Sequence, residues 1–266
     1  MPEGDVLRLT AARLDAAFRG GTLVRAELRW GGLGDVDLTG REVAEVTAYG
    51  KNLLVRTTDG WTLHAHLRME GRWFVARTGT AQAAGRGAHV RAVLATDRWT
   101  ALGESLGMLH VVRTRDEPRL LGHLGPDVLA EDLDVPAAAV RLREAGDGPG
   151  VSVAEALLDQ RRVAGMGTIY AAESLFARRT DPWRTVATLA DDDLVALVLT
   201  ARDRMARVVA HGLDALDARV HGRVGRPCVR CRTAIAVRQA RRPPVERPIF
   251  FCPRCQAPLP GISRSA

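Results

Sequence analysis

Lysine is almost missing from this 266-residue chain: of its 38 basic residues, 37 are arginine and one, Lys51, is lysine. A compositional bias towards Arg, Ala and Gly accounts for the arginines but not for the exception. Arginine keeps its proton in proteins, so it cannot replace a lysine that must exchange one or sit as a compact point charge on phosphate. The plain alternative is a lysine left by chance. Cysteine is absent from the first 227 residues, which leaves nothing for a disulfide framework there. No apolar run approaches the ~20 residues of a membrane span, and an acidic start with Arg8 and Arg13 close behind does not fit a signal peptide. The expectation is a soluble cytoplasmic protein with no membrane partner.

What remains is long enough for two domains with their own cores. The net charge of +7 and pI of about 10.1 suit a polyanionic partner. A generally charged, solvated surface is the bland alternative.

From Glu3 to Arg19 the apolar positions Val6, Leu7, Leu14, Ala17 and Phe18 recur at helical spacing, and Gly20-Gly21 stops the helix. Short alternating runs then read as strands: Thr22–Leu28, Glu42–Tyr49, Leu53–Thr57, Thr62–Leu67, Arg72–Ala76, Val90–Ala95, Trp99–Leu102 and Met108–Arg113. Asp59-Gly60 marks a tight hairpin. Strands joined by turns predict an antiparallel sandwich or barrel, with Thr78–Ala88 as a mobile loop. Beyond Leu120 helices are expected from Pro136 to Glu144 and at Val153–Gln160, Thr168–Arg178 and Asp191–His211, with a loop at Glu144–Gly150. The predicted domains are 1–120 (β-rich), 121–135 (connection), 136–220 (helical) and 221–260 (cysteine-bearing).

Four features carry chemistry. If Met1 is removed, Pro2 becomes a free secondary amine beside the carboxyl of Glu3. An α-amino group titrates near ~8, so part of it is nucleophilic at neutral pH and can form an iminium on a sugar carbon. The tail Cys228-x2-Cys231-x20-Cys252-x2-Cys255 matches a four-thiolate tetrahedral zinc site with a hairpin between the pairs. Redox pairs or structural disulfides are the alternatives. Four thiolates leave no open position, so one structural zinc is expected, and Arg238, Arg241, Arg242 and Arg247 in its loop suit phosphate or simply solvent. The Gly165-x-Gly167 turn leads into a helix at Thr168 whose amides suit a phosphate, although such a turn is usually just a connection. Finally, Lys51 sits between two strands, and His64-Ala-His66-Leu-Arg68-Met69-Glu70-Gly71 ends another. We read His64 as strand packing and His66 as close to phosphate. Met69, at a turn between charges, is either core or a wedge into a base stack.

Together these residues resemble the formamidopyrimidine-DNA glycosylase/endonuclease VIII family. The resemblance runs in order from Met1-Pro2-Glu3-Gly4 through Gly50-Lys51-x-Leu-Leu, His66-Leu-x-Met-x-Gly71 and Leu124-Gly-Pro-Asp127. It continues with Leu158-Asp-Gln160, Gly165-x-Gly167-x-Ile-Tyr170 and Arg247-Pro-x-Phe-Phe-Cys-Pro-x-Cys-Gln256, so it covers nearly the whole chain. It implies an α+β fold of two domains: an N-terminal antiparallel β-sandwich with a leading helix, then a C-terminal helix–two-turn–helix domain with a zinc finger. Damaged DNA would lie in the cleft between them, and the protein would be a monomer of bacterial type working at the nucleoid. By the family pattern Pro2 is the nucleophile at C1′ and Glu3 donates a proton to open the sugar. Lys51 is the proton donor for β-elimination and contacts phosphate. Arg247 serves δ-elimination and holds the phosphate beside the lesion. Met69 with Arg68 fills the gap left by the flipped base.

The chain departs from that pattern in three places. Thr168 stands where the family usually has Asn, which offers one hydroxyl donor instead of an amide. His123 stands at the DNA-contacting arginine before Gly-Pro-Asp, which puts that contact in doubt. Glu104-Ser-Leu-Gly107 stands where the formamidopyrimidine branch has an Arg-Arg-Phe-Gly wedge. The last departure, with the Met-Pro-Glu-Gly-Asp start, points to the endonuclease VIII branch and to oxidised pyrimidines. The alternatives are 8-oxoguanine or formamidopyrimidine specificity on the same fold, and a non-catalytic protein that binds damaged DNA.

Overall fold

The computed structural model describes residues 2–33, 36–144, 150–240 and 246–257. The chain divides into two compact units, Met1–His123 and Leu124–Ala266. The expected loop at Glu144–Gly150 lies largely outside the described residues, as do Met1, Arg241, Arg242 and the residues after Ala257. No helix among the described residues is long and apolar enough to cross a membrane.

In the first unit α1 (Gly4–Phe18) buries Leu7, Ala11, Leu14 and Phe18 along one face, as the spacing requires. Gly20, at φ 73°, turns the chain out of the helix, a conformation that costs glycine little. The strands are β1 (Arg25–Leu28), β2 (Val43–Tyr49), β3 (Asn52–Thr57), β4 (Trp61–His66), β5 (Arg72–Arg77), β6 (Val90–Ala95), β7 (Trp99–Glu104) and β8 (Met108–Arg113). They form two four-stranded antiparallel sheets, ordered β1-β6-β7-β5 and β2-β3-β4-β8. That settles sandwich against barrel. Val46, Leu53, Val55, Leu63 and Leu109 from one sheet join Leu28, Trp73, Leu94 and Ala101 from the other in one core, with α1 packed in. The short helix α2 (Pro118–Leu121) closes the unit.

Thr78–Ala88 is largely exposed, as expected of a loop, but it is anchored at its centre. A 3₁₀ turn at Ala81–Ala84 lays Ala83 down buried. Beside it, a Cβ on Gly85 would meet Val93 and Leu102 of the outer sheet face at 2.9 and 3.2 Å. Those two residues and Val90 form a small satellite core that needs a cover, and spacing along the strands does not disclose which segment supplies it.

The outer face of the other sheet carries a half-buried polar network. Arg56 on β3 forks onto both carboxylate oxygens of Glu117 at 2.7 Å and also donates to Glu45. Burial opposes ionisation of Glu117, but Arg56 and the Thr62 hydroxyl outweigh it and hold the carboxyl below its usual range. His64 bonds Asn52 at 2.8 Å and stacks on His110. Burial, then the neighbouring His110 and His66, push its pKa down to about 4. His66 falls to about 4 through burial, then Lys51 and Arg68.

These two imidazoles stay neutral in the folded chain where the unfolded chain, titrating near ~6.5, has already taken up protons. Their contribution is therefore complete above about pH 6.5 and is lost as pH falls towards about 4, at about 1.4 kcal/mol per pH unit for each. The urea midpoint should drop between pH 7 and pH 5, and His64→Gln should flatten the decline. An unchanged midpoint in the wild-type protein would refute this.

In the second unit α3 (Val135–Arg141) is capped by Asp134, and α4 (Val153–Leu158) by a Ser152–Glu155 capping box. These are followed by α5 (Thr168–Ala177) and α6 (Asp191–His211). Helix α4 ends at Leu158, two residues before the expected Gln160, because Asp159 is already extended. The strands β9 (Ala236–Gln239) and β10 (Pro248–Phe251) pair as the hairpin expected between the cysteine pairs.

Candidate active site

Register alone gathers the residues singled out in the first unit at one end of the sandwich. Of the chain's three crossings between sheets, one joins β1 to β2 and the other two lie at Leu67–Gly71 after β4 and at Ser105–Gly107 after β7. His66 pairs with Met108 and Arg72 with Glu104, so these last two crossovers leave from the same end. Asn52 pairs with His66, which brings the two-residue Gly50-Lys51 turn to that end as well.

Helix α1 arrives there by length. It runs antiparallel to β2, tied by Arg19 Nη1 to the Ala44 carbonyl at 3.0 Å and by the Val46 amide to Asp15 at 2.7 Å. From the Asp15–Val46 tie the helix runs back about 18 Å to Glu3. The strand runs on about 17 Å to Lys51. A depression of about 610 Å³ takes its walls from Val6 and Thr10 of α1 and from Leu67 and Gly71 of the first crossover, which agrees with that placement.

Pro2 is half-buried, and Glu3, the residue that opens α1, is 1% exposed. Lys51 is half-buried and close enough to His66 to depress the imidazole.

The crossover after His66 is strained. Arg68 has φ 53°, and its amide donates to His66 Nδ1 at 2.9 Å. Two glycines permit the bend. A Cβ on Gly71 would lie 2.5 Å from the Leu67 carbonyl, and one on Gly107 would lie 2.3 Å from Arg68 Cγ. The Arg68 stem therefore rests on the second crossover, and Met69 is left 65% exposed. A large apolar side chain held out by a strained turn is not behaving as core. Leu106, by contrast, is buried in the sandwich core, and Glu104 pairs with Arg72 at 2.7 Å. Glu104–Gly107 thus projects no wedge of its own. His123 is exposed at the end of the unit.

In the second unit Thr168 opens α5 and is 5% exposed, and the helix starts at Gly167 without a side-chain cap. The turn before it is pinned by Gln160, whose side chain donates to the Met166 carbonyl and accepts from the Gly165 amide, at 2.8 and 3.0 Å. The same turn is stitched to Gly125-Pro-Asp127: Gly125 donates to Gln160, and Ala164 donates to Pro126, both at 2.9 Å. A Cβ on Gly125 would sit 2.3 Å from the Arg162 carbonyl. Two of the sequence motifs, Gly-Pro-Asp and Leu-Asp-Gln, therefore brace one another.

The four cysteine sulfurs lie within 4.8 Å of one another, with Cys228–Cys255 at 3.9 Å and Cys231–Cys252 at 3.4 Å. Tetrahedral Zn–S bonds of about 2.3 Å place sulfurs about 3.8 Å apart, so the donor set fits zinc. The amides of Arg230 and Cys255 point at the Cys228 and Cys252 sulfurs at 3.4 Å, hydrogen bonds of the kind that orient metal-ligating sulfurs. Among the described residues this is the one group of three or more such side chains placed to share a metal. Arg247 is exposed just before β10, its carbonyl accepting from Ala240 at 2.9 Å. Arg238 lies over the Trp183 ring at 5.0 Å.

Comparison with known proteins agrees with both units. Residues 1–123 match the formamidopyrimidine-DNA glycosylase N-terminal domain, and residues 124–219 match the formamidopyrimidine-DNA glycosylase H2TH domain. The chain is 41% identical to a probable endonuclease 8 2 of Streptomyces coelicolor, over 98% of this chain and 97% of that protein. It is 37% identical to the DNA-(apurinic or apyrimidinic site) lyase Nei2 of Mycolicibacterium smegmatis, over 96% of this chain and 99% of that one. A solved structure of Lactococcus lactis formamidopyrimidine-DNA glycosylase on DNA containing an abasic site superposes with a TM-score of 0.82. At 22% identity, over 96% of this chain and all of that one, it speaks for the fold.

Proposed function

This chain belongs to the formamidopyrimidine-DNA glycosylase/endonuclease VIII family, and from that premise we propose that it removes oxidised bases, mainly pyrimidines, through a Pro2 Schiff base and cuts the strand by β,δ-elimination. The family makes it a base excision repair enzyme, a DNA glycosylase with apurinic/apyrimidinic lyase activity. What supports the finer reading is that strand register brings Lys51, His66 and Arg68-Met69 to one end of the β-sandwich, and that the length and direction of α1 carry Pro2-Glu3 towards the same end.

Once Met1 is removed, the Pro2 nitrogen attacks C1′ of the damaged nucleotide, the N-glycosyl bond breaks and the base leaves with a proton. Glu3 protonates the ring oxygen, the sugar opens, and an iminium joins Pro2 to C1′. Loss of a proton from C2′ expels the 3′ phosphate, with Lys51 as the proton donor beside it. Loss of the C4′ proton then expels the 5′ phosphate, held by Arg247. Met69 and Arg68 occupy the gap left by the extruded nucleotide. Thr168 and His123 contribute to backbone contact, and that contact is salt-dependent. Zinc on Cys228, Cys231, Cys252 and Cys255 supplies a structural cross-link and no chemistry, because four thiolates leave no open position.

The pyrimidine preference draws on the second crossover, where Leu106 is buried and Glu104 is held by Arg72, so that segment offers no cationic wedge to read the partner of a purine lesion. Matched duplexes carrying dihydrouracil, thymine glycol or 8-oxoguanine test it. Excision of the pyrimidines should be faster by about tenfold or more, the scale of one or two lost polar contacts. Faster release of 8-oxoguanine would place the chain in the formamidopyrimidine branch, and binding without release of any base would make it a damage-binding protein.

A further inference from the structure

The reaction outlined above leaves one fully buried carboxylate unused. Glu173, in the middle of α5, is 0% exposed. Its Oε1 accepts three consecutive main-chain amides, those of Arg219, Val220 and His221, at 2.9, 2.8 and 2.8 Å. Three successive N–H groups converging on one oxygen form a nest that an anion fills, and a neutral side chain fills it less well. The other oxygen faces Arg204 of α6 at 3.9 Å, and Arg204 also donates to the Asp217 carbonyl at 3.1 Å. The segment 217–221 is thus gripped from two helices at the point where the chain leaves α6 for the finger.

What that segment holds is the finger's hairpin. Val220 is buried with Cys228, Ile235 and Cys252 and with Ala172 and Phe176 of α5. The His221 ring stands edge-on against Phe250 at 4.8 Å. Phe250 lies in β10, the strand that begins immediately after Arg247. Elsewhere the finger is fastened to the end of α5 by Arg230, which donates to the Phe176 and Ala177 carbonyls, and by Gln256, which donates to Thr180. Those ties reach the cysteine turns. The strand β10 itself is held by Ile249 in the core of the unit and by Phe251 edge-on to Trp183. The Glu173 tie adds a hold through His221 at Phe250, the β10 residue nearest the Arg247 end that is gripped from this segment.

We propose that Glu173 is a positioning residue: through the 219–221 amides and the His221–Phe250 contact it fixes β10, and so sets where Arg247 stands for the second elimination. The inference rests on the role given to Arg247 above. Loss of Glu173 leaves the Pro2 chemistry and the first cut in place and impairs the second.

The zinc-loaded full-length protein, incubated with abasic-site DNA, reads this as the ratio of δ- to β-elimination products beside the yield of borohydride adduct. Glu173→Ala should lower the ratio about tenfold or more, the scale of an ångström of misplacement, while adduct yield changes by less than about threefold. Glu173→Gln, whose amide oxygen still accepts, should recover part of the ratio. His221→Leu keeps the nest and cuts only the link to Phe250, so it should lower the ratio too, and it decides the question if Glu173→Ala does not fold. An unchanged ratio in Glu173→Ala, or in His221→Leu where that variant decides, overturns the proposal. So does a loss of adduct parallel to the loss of the second cut. Arg247→Ala separates the two levels: if it leaves the ratio unaltered, the reading of Arg247 fails by itself.

Discussion

Locking the Pro2 nitrogen in an amide bond is expected to abolish covalent trapping on abasic DNA. An N-terminal extension that is not removed does this without touching any side chain. An amide nitrogen has lost its lone pair to resonance, so it cannot attack C1′. The loss should be about a thousandfold or more, as when a covalent nucleophile is removed elsewhere. Buried Glu3 and half-buried Lys51 remain where they were, so binding of abasic DNA should persist. A normal adduct with the blocked terminus would mean that a lysine is the nucleophile, and the chain offers one candidate, Lys51. Lys51→Arg is therefore the informative companion. It keeps the cation but not the exchangeable proton, so the adduct should form while strand cleavage slows. Cleavage at the wild-type rate would reduce the single lysine to coincidence.

Replacing Cys252 with Ser is expected to cost the chain its zinc and its grip on DNA together. Cys252 is fully buried, and the cluster around it holds Ala172 and Phe176 of α5, Val220, Cys228 and Ile235. That is a small core, too small to hold its shape without a cross-link. Structural zinc contributes on the order of 10 kcal/mol in isolated fingers, far more than so few apolar side chains supply. The serine hydroxyl does not ionise at neutral pH as a thiol beside zinc does, so the ligand set fails and β10 loses its anchor. The expected result is zinc content near zero by metal analysis and loss of DNA binding by gel shift, with the first unit still giving its own unfolding transition. That unit has its own core of α1 and two sheets. Retained zinc would refute the ligand set, and a single collapse of the whole chain would refute the independence of the units.

Much of this was legible in one dimension because it depends on short-range regularities. Every strand of the sandwich follows from alternation, and α1 and α6 from helical spacing. The four sulfurs converge because two tight turns and a hairpin are all that C-x2-C-x20-C-x2-C requires. Pro2, Glu3 and Lys51 stand out through residue type: a potential free amine, a neighbouring carboxyl, and the one lysine among arginines. Ends of elements were read less well where a side chain turns inward to satisfy the backbone, as Gln160 does after α4. The anchoring of Thr78–Ala88 was not legible because its partners, Val93 and Leu102, belong to strands that look complete without it.

The sequence by itself determined which groups are candidates for the chemistry and in what order the elements come, because spacing and side-chain type act over a few residues. Only the tertiary structure decided that the two crossovers, the Gly50-Lys51 turn and the start of α1 share one end of the sandwich, since strand register and helix direction place them. It also decided where the half-buried and buried charged side chains find partners. Arg56 meets Glu117 across 61 residues of chain, and Glu173 meets the 219–221 amides across 46 to 48. A charge is kept in the interior only where the fold brings it a partner, and no local pattern announces a partner so far along the chain.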